Sequence, residues 1–178
     1  MTFLNLAGEG QASTNAYVAS LLAVLGDQRP LDVLPVTPAA LAAAIQGVGR
    51  DALTRAEAPG KWSVAGVLQH LADSEVVNGY RIRLMLSAEL PAIQAYDQDA
   101  WAEALRYDAA DPALALRDFT TARAANLRLW ESLDAAALAR SGLHAERGRE
   151  SVGMLIRLLA AHDLVHRRQV DRILGRGV

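Results

Sequence analysis

The chain has 178 residues, 52% of them hydrophobic and 21% charged, with a net charge of -2, the balance of one compact domain rather than of a disordered segment. Its 18 Lys and Arg against 20 Asp and Glu create no basic field able to hold a phosphate backbone, so no nucleic-acid partner is expected. Cys is absent, which removes disulfides, thiolate metal ligands, iron-sulfur clusters and any cysteine nucleophile; a thiol handled by this protein has to come from a ligand.

Strand-type alternation is scarce, and Ala, Leu and Arg are strong helix formers, so the whole chain reads as α. The expected fold is all-α, a four-helix bundle with a short extra N-terminal helix and a long crossover connection. One domain is expected over residues 1–178, with its core at 38–174 and residues 1–37 as an N-terminal bracket. The first residues lack a positively charged leader and their apolar stretch is broken at Gly8, Glu9 and Gly10, so a cytoplasmic protein is expected. No apolar run approaches the ~18 to 20 residues of a bilayer span, so no membrane span is expected.

In chain order, a short helix opens after Ser13 or Thr14 and stops at Gly26. After a turn region from Pro30 to Pro38, Thr37 is a cap and Pro38 a first helical position, with Leu41, Ile45 and Val48 striping a first bundle helix to about Arg55. Ser63 caps the next, which runs to about Ala88 and buries Val64, Leu68, Leu71, Ile82 and Met85, with His70 beside them. Residues 89–110 form a long connection. Asp111-Pro112 opens a third helix lined by Leu114, Leu116, Phe119, Leu127, Trp130 and Leu133. A loop over 134–150 precedes the last helix, Ser151 to about Leu174.

The buried seam of that last helix reads Leu155, Leu159, His162, His166, Gln169, Ile173, so two imidazoles occupy places where the pattern asks for Leu. An i, i+4 pair puts both rings on one face at neighbouring turns, the spacing at which two imidazoles share a metal. Core histidines bonded to each other, to Gln169 or to an acid would fit the same spacing, and both readings stay open on spacing alone. His70 adds a third nitrogen if its helix packs beside the last. His162-Asp163-Leu164-Val165-His166 differs from the zinc-protease HExxH in having the shorter Asp163 where a Glu base is needed, so peptidase chemistry is not expected.

Two segments, Pro59-Gly60-Lys61-Trp62-Ser63-Val64 followed by Leu68-Gln69-His70-Leu71-Ala72-Asp73-Ser74-Glu75, and Leu159-Ala160-Ala161-His162-Asp163-Leu164-Val165-His166-Arg167-Arg168-Gln169-Val170, resemble the DinB-like (DinB/YfiT) superfamily over residues 38–174. The resemblance implies a four-helix bundle with a divalent metal, zinc or nickel, on His70, His162 and His166, and a possible homodimer. It implies either transfer of a low-molecular-weight thiol such as bacillithiol or mycothiol, the preferred expectation, or hydrolysis; a non-catalytic metal-binding stress-response module is the alternative from another class. The partner is then a small-molecule substrate or thiol. Asp163 and Glu75 are the candidate catalytic carboxylates, and Tyr96, Trp101 and Arg81 the candidates for the substrate pocket. His144 is expected at the surface or at a gate.

Overall fold

The computed structural model describes residues 11–176. In chain order it has helices α1 (Gln11–Leu25), α2 (Pro30–Val33), α3 (Thr37–Ile45), α4 (Arg50–Thr54) and α5 (Val64–Ser87), then strand β1 (Ala92–Ile93) and α6 (Gln98–Ala104). A 3-10 turn at Tyr107–Ala109 leads to α7 (Pro112–Trp130) and α8 (Ala135–Ala139), and the chain ends with β2 (Ser141–His144), β3 (Gly148–Ser151) and α9 (Val152–Ile173). The four long helices α1, α5, α7 and α9 make the frame of a four-helix bundle: α5 lies along α7, and α9 along both α1 and α5. No helix among the described residues is long and apolar enough to cross a membrane.

Local chemistry sets the starts of three of these helices. The Ser63 hydroxyl accepts the Gly66 N–H and the Ser151 hydroxyl that of Met154, while Asp111 accepts from Ala113 and Leu114 with Pro112 at the first position; each satisfies donors that a helix start leaves bare. The helix expected from Thr37 to Arg55 is instead two short ones. Gly47 turns the chain at φ 73°, a conformation open to glycine at no steric cost, and α4 restarts after Gly49. Thr37 is the first residue of α3 rather than its cap, and its hydroxyl donates to the Val33 carbonyl. The N-terminal helix is already formed at Gln11, the first described residue and ahead of the expected Ser13 or Thr14 cap, and it packs along α9. Leu114, expected on the apolar side of α7, is 51% exposed.

The segments expected to be plain connections carry a small sheet of order β1-β2-β3. β1 runs parallel to β2, pairing Ile93 with His144, and β2 runs antiparallel to β3, pairing His144 with Gly148. The sheet joins the 89–110 connection to the 134–150 segment at one end of the bundle.

Two apolar clusters fill the interior. One holds Leu25, Leu34, Ile82, Met85, Trp130, Leu155 and Leu159, the other Leu41, Val64, Leu68, Leu71, Phe119 and Val170. Between them a polar layer crosses the bundle: His70, Ser74, Glu75 and Asn78 on α5, Arg123 and Asn126 on α7, and Asp163, His166 and Gln169 on α9, all buried.

α5 and α7 approach closely at Gly79. A Cβ there would stand 2.6 Å from Asn126 Oδ1 and 2.8 Å from its Nδ2, and Asn126 cannot swing away because its amide is bonded to Glu75. Gly to Ala inside a helix ordinarily gains about 0.5–1 kcal/mol, but crowding here is expected to outweigh it, so Gly79→Ala should lower stability by about 1–3 kcal/mol. A urea unfolding curve checks the sign.

Candidate metal centre

The Ser63 cap places His70 two turns into α5, and His162 and His166 stand one turn apart on α9. The packing of α5 on α9 brings the three rings together: His162 Nε2 lies 2.9 Å from His70 Nε2 and 3.0 Å from His166 Nε2. The ligand nitrogens of all three fall within 4.8 Å of one another, a grouping able to hold a metal ion. Gln169 Oε1 accepts from His166 Nδ1 at 2.8 Å, so the proton of neutral His166 is on Nδ1 and its Nε2 presents a lone pair. His162 has at most one Nε2 proton to offer two neighbours. Three nitrogens at these separations hold more lone pairs than protons, the character of a ligand set. Trp62 covers His70 with ring centroids 4.8 Å apart.

Burial keeps these rings neutral. It pushes His70 well below the ordinary histidine range, helped by His166 and His162, and does the same to His166 against the opposing pull of Gln169. His162 is pushed down to about 4 by burial and then by the Arg123 charge.

Behind the rings lies an ion cluster. Arg123 donates to both oxygens of Asp163, at 2.6 and 2.9 Å, and to Glu75 Oε1 at 2.8 Å, while Asn126 Nδ2 donates to Glu75 Oε2 at 2.9 Å. Burial alone would weaken the Arg123 charge, but Asp163 and Glu75 outweigh it and hold the guanidinium above the usual arginine value. All four carboxylate oxygens are thus engaged. The expectation that Asp163 and Glu75 manage protons at the site is corrected: both are fully buried and bonded to Arg123 and Asn126, with Asp163 neither solvent-facing nor a helix cap.

A cavity of about 140 Å³ opens beside the rings; His162, Arg81, Tyr96, Ser74, Asn78 and His144 give its lining polar groups, and Tyr17, Leu21, Leu155 and Leu159 give it apolar surface. Tyr96 and Arg81 both line this cavity, the Arg81 guanidinium 5.5 Å from the Tyr96 ring centre. Trp101 does not reach the lining; it backs Tyr96 with ring centroids 4.8 Å apart. His144 is buried rather than at the surface, because its Nδ1 accepts the turn N–H groups of Glu146 and Arg147 at 3.2 and 3.3 Å. Burial, with Arg147 and Arg81 nearby, pushes it down to about 3.

The sequence model of the DinB superfamily matches residues 34–170. The chain belongs to the DinB superfamily. Among relatives, a protein of Oceanobacillus iheyensis named as a candidate metal-dependent hydrolase, OB0782, is 30% identical over 66% of this chain and 67% of its own length. One of Bacillus licheniformis with a name of the same kind is 32% identical over 70% of this chain and 73% of its length. YfiT of Bacillus subtilis, also so named, is 38% identical over 46% of each chain, so that match spans under half of the relative. The solved structure of YfiT, described as a candidate metal-dependent hydrolase with an unusual four-helix bundle topology, superposes with a TM-score of 0.74 at 26% identity, covering 85% of this chain and 91% of that one.

In this DinB-superfamily chain the residues that sequence reasoning passed over are Arg123 and Asn126, and it missed the burial of His144. Phe119, Arg123, Asn126 and Trp130 step by three or four residues along α7, the same seam spacing that singled out His162 and His166; that signal was present for Arg123 and Asn126. None existed for His144, whose burial depends on its hairpin.

Arg123→Met should cost about 3–5 kcal/mol, because it leaves two buried carboxylates without their cation; urea unfolding of the purified variant measures it. The histidines give a second expectation. Unfolded, each titrates near 6.5; folded, burial holds all four lower. Between those values the unfolded chain binds more protons, so stability is full above about 6.5 and falls as the pH drops. In metal-free protein the urea midpoint should fall between pH 7 and pH 5, above the main carboxylate range, and a flat midpoint contradicts the buried neutral rings.

Proposed function

We propose that His70, His162 and His166 hold one divalent ion, zinc or nickel, and that the protein is a metal-dependent hydrolase of a small molecule. The observation that carries this reading is the meeting of three imidazoles from two helices, two buried and His162 half-buried, one fixed in its tautomer by Gln169, at the wall of a cavity. A second hydrogen bond from the far ring nitrogen is what orients a metal-binding histidine. The group contains three ligands and no fourth His, Asp or Glu among the described residues, which suits an open rather than a closed coordination sphere. Bound there, a divalent ion supplies a Lewis acid that brings the pKa of water towards ~7.

The remaining work falls to the chain. Arg123, Asp163 and Glu75 hold α5, α7 and α9 in one register, so the imidazoles need little rearrangement to receive an ion. Leu21, Leu155 and Leu159 give the ligand an apolar wall that thins the water around the reacting group. With Asp163 and Glu75 engaged by Arg123, the carboxylate on the cavity lining is Glu146, and it replaces them as the proton acceptor at the site. The names of the relatives favour hydrolysis, and no feature of the geometry favours thiol transfer over it. A purely structural metal module would call for a closed sphere and no adjoining cavity, against which the cavity at His162 argues.

Untagged protein should carry close to one divalent ion per chain by elemental analysis. His70→Ala, His162→Ala and His166→Ala should each lose it while keeping the helical circular dichroism spectrum, because the apolar clusters remain; His144→Ala should keep it. A protein that takes up neither zinc nor nickel overturns the site. With metal bound, a panel of esters and amides should be cleaved in a chelator-sensitive way; consumption of a thiol with a haloaromatic electrophile, and no cleavage, would replace hydrolysis by thiol transfer.

A further inference from the structure

Arg81 is an unusual cation. It is 6% exposed and lines the cavity beside His162, yet it donates only to neutral oxygens, Asn78 Oδ1 and the Gln94 carbonyl, and lies against the Tyr96 ring. Those two bonds use two of its five N–H groups. No carboxylate among the described residues pairs with it; Glu146 and Glu150 act on it from further away, and Glu150 is already joined to Arg147 by two bonds of 2.8 Å. A buried charge ordinarily has a counter-charge. On the same lining, His144 has its Nδ1 occupied by two turn amides, so its neutral ring carries the proton on Nε2 and that atom is a donor.

We infer that the cavity beside the three histidines takes a small ligand bearing a carboxylate, bound by the free N–H groups of Arg81 and the Nε2–H of His144. The inference rests on the proposed function in taking this cavity as the substrate's place, and it adds the substrate's class. A single unmatched guanidinium suits a single negative charge and the planar fork of a carboxylate. Leu21, Leu155 and Leu159 on the same lining suit a short hydrocarbon body and disfavour inorganic phosphate, which is hydrated on every side. The size agrees: an apolar cavity of about 150 Å³ accepts benzene, so about 140 Å³ takes a body of comparable bulk. Of the other charges on the lining, Arg147 is already matched by Glu150 through two bonds of 2.8 Å and Glu146 is negative, so no further cation is left for a second negative charge, which favours a monoanion.

Butyrate, butyramide and inorganic phosphate distinguish the cases, titrated into the full chain as purified and again with zinc added, with binding read by calorimetry and by the NMR signal of the Arg81 Nε–H. Butyrate should bind at least tenfold more tightly than butyramide or phosphate in both samples and should shift the Arg81 signal. Arg81→Gln should weaken butyrate about tenfold and leave butyramide unchanged. His144→Asn, whose Oδ1 can still accept from the turn, should weaken butyrate by a smaller factor. Equal affinity for butyrate and butyramide, tighter binding of phosphate, or no binding overturns the inference; so does butyrate binding that needs zinc and ignores Arg81→Gln, since the carboxylate would then be a metal ligand only. If Arg81→Gln does not fold, the wild-type comparison and Arg81→Lys decide, the latter expected to keep part of the preference for butyrate. The two readings fail separately: a chain that prefers butyrate but holds no metal loses the hydrolase, and one that cleaves neutral esters with no preference for butyrate loses the carboxylate site.

Discussion

A single guanidinium ties three helices together. Arg123 reaches from α7 to Asp163 on α9 and Glu75 on α5, the two helices that carry the three imidazoles. Removing charges from water is costly, and a buried ion pair is seldom worth more than a well-packed apolar substitute. What it supplies here is register. If α9 slid along α5 by one turn, roughly 5.4 Å, Asp163 would lose Arg123 and only one of the two α9 histidines could still meet His70, so the three-ring group would be broken. The bond that aligns the helices and the site that needs them aligned are set by the same residues of the same polar layer.

That layer also explains why the bundle has two apolar clusters rather than one. The interior polar groups of α5, α7 and α9 satisfy one another, Asn126 answering Glu75 and Gln169 answering His166, and Tyr107 of the 3-10 turn donates to Asp73 on α5 at 2.6 Å. Such networks are stable when every member is paired and costly when one is not. Among the described residues, Arg123 Nε and Trp130 Nε1 are the buried side-chain atoms without a partner, and both lie on α7, which brings no histidine to the site.

Much of this was legible in the sequence, for reasons that differ from residue to residue. Ser63, Asp111-Pro112 and Ser151 announce helix starts through bonds to amides two or three residues away, so no distant contact is needed to read them. His162 and His166 are visible because they replace Leu in a periodic seam, and the motif around His70 completes the set. The break at Gly47 was hidden by an apolar stripe that continues across it to Val48. The sheet was hidden because β1 is two residues long and pairs with residues about 50 positions later. Asp163 and Glu75 stand in the two motifs that carry the histidines, which makes them candidate carboxylates in sequence; the position of Arg123 on a third helix, bonded to both, decides otherwise.

The match to the DinB superfamily begins at residue 34, whereas Tyr17, Val18 and Leu21 of α1, which form part of the cavity wall, precede it. The three imidazoles and the clasp behind them fall inside the shared stretch, as do the polar lining groups Arg81 and His144, while part of the cavity's apolar lining falls outside it. The shape of the cavity is therefore set by two lengths of chain. Substitutions in α1 would reshape that apolar part while leaving the imidazoles, their clasp and the polar lining in place.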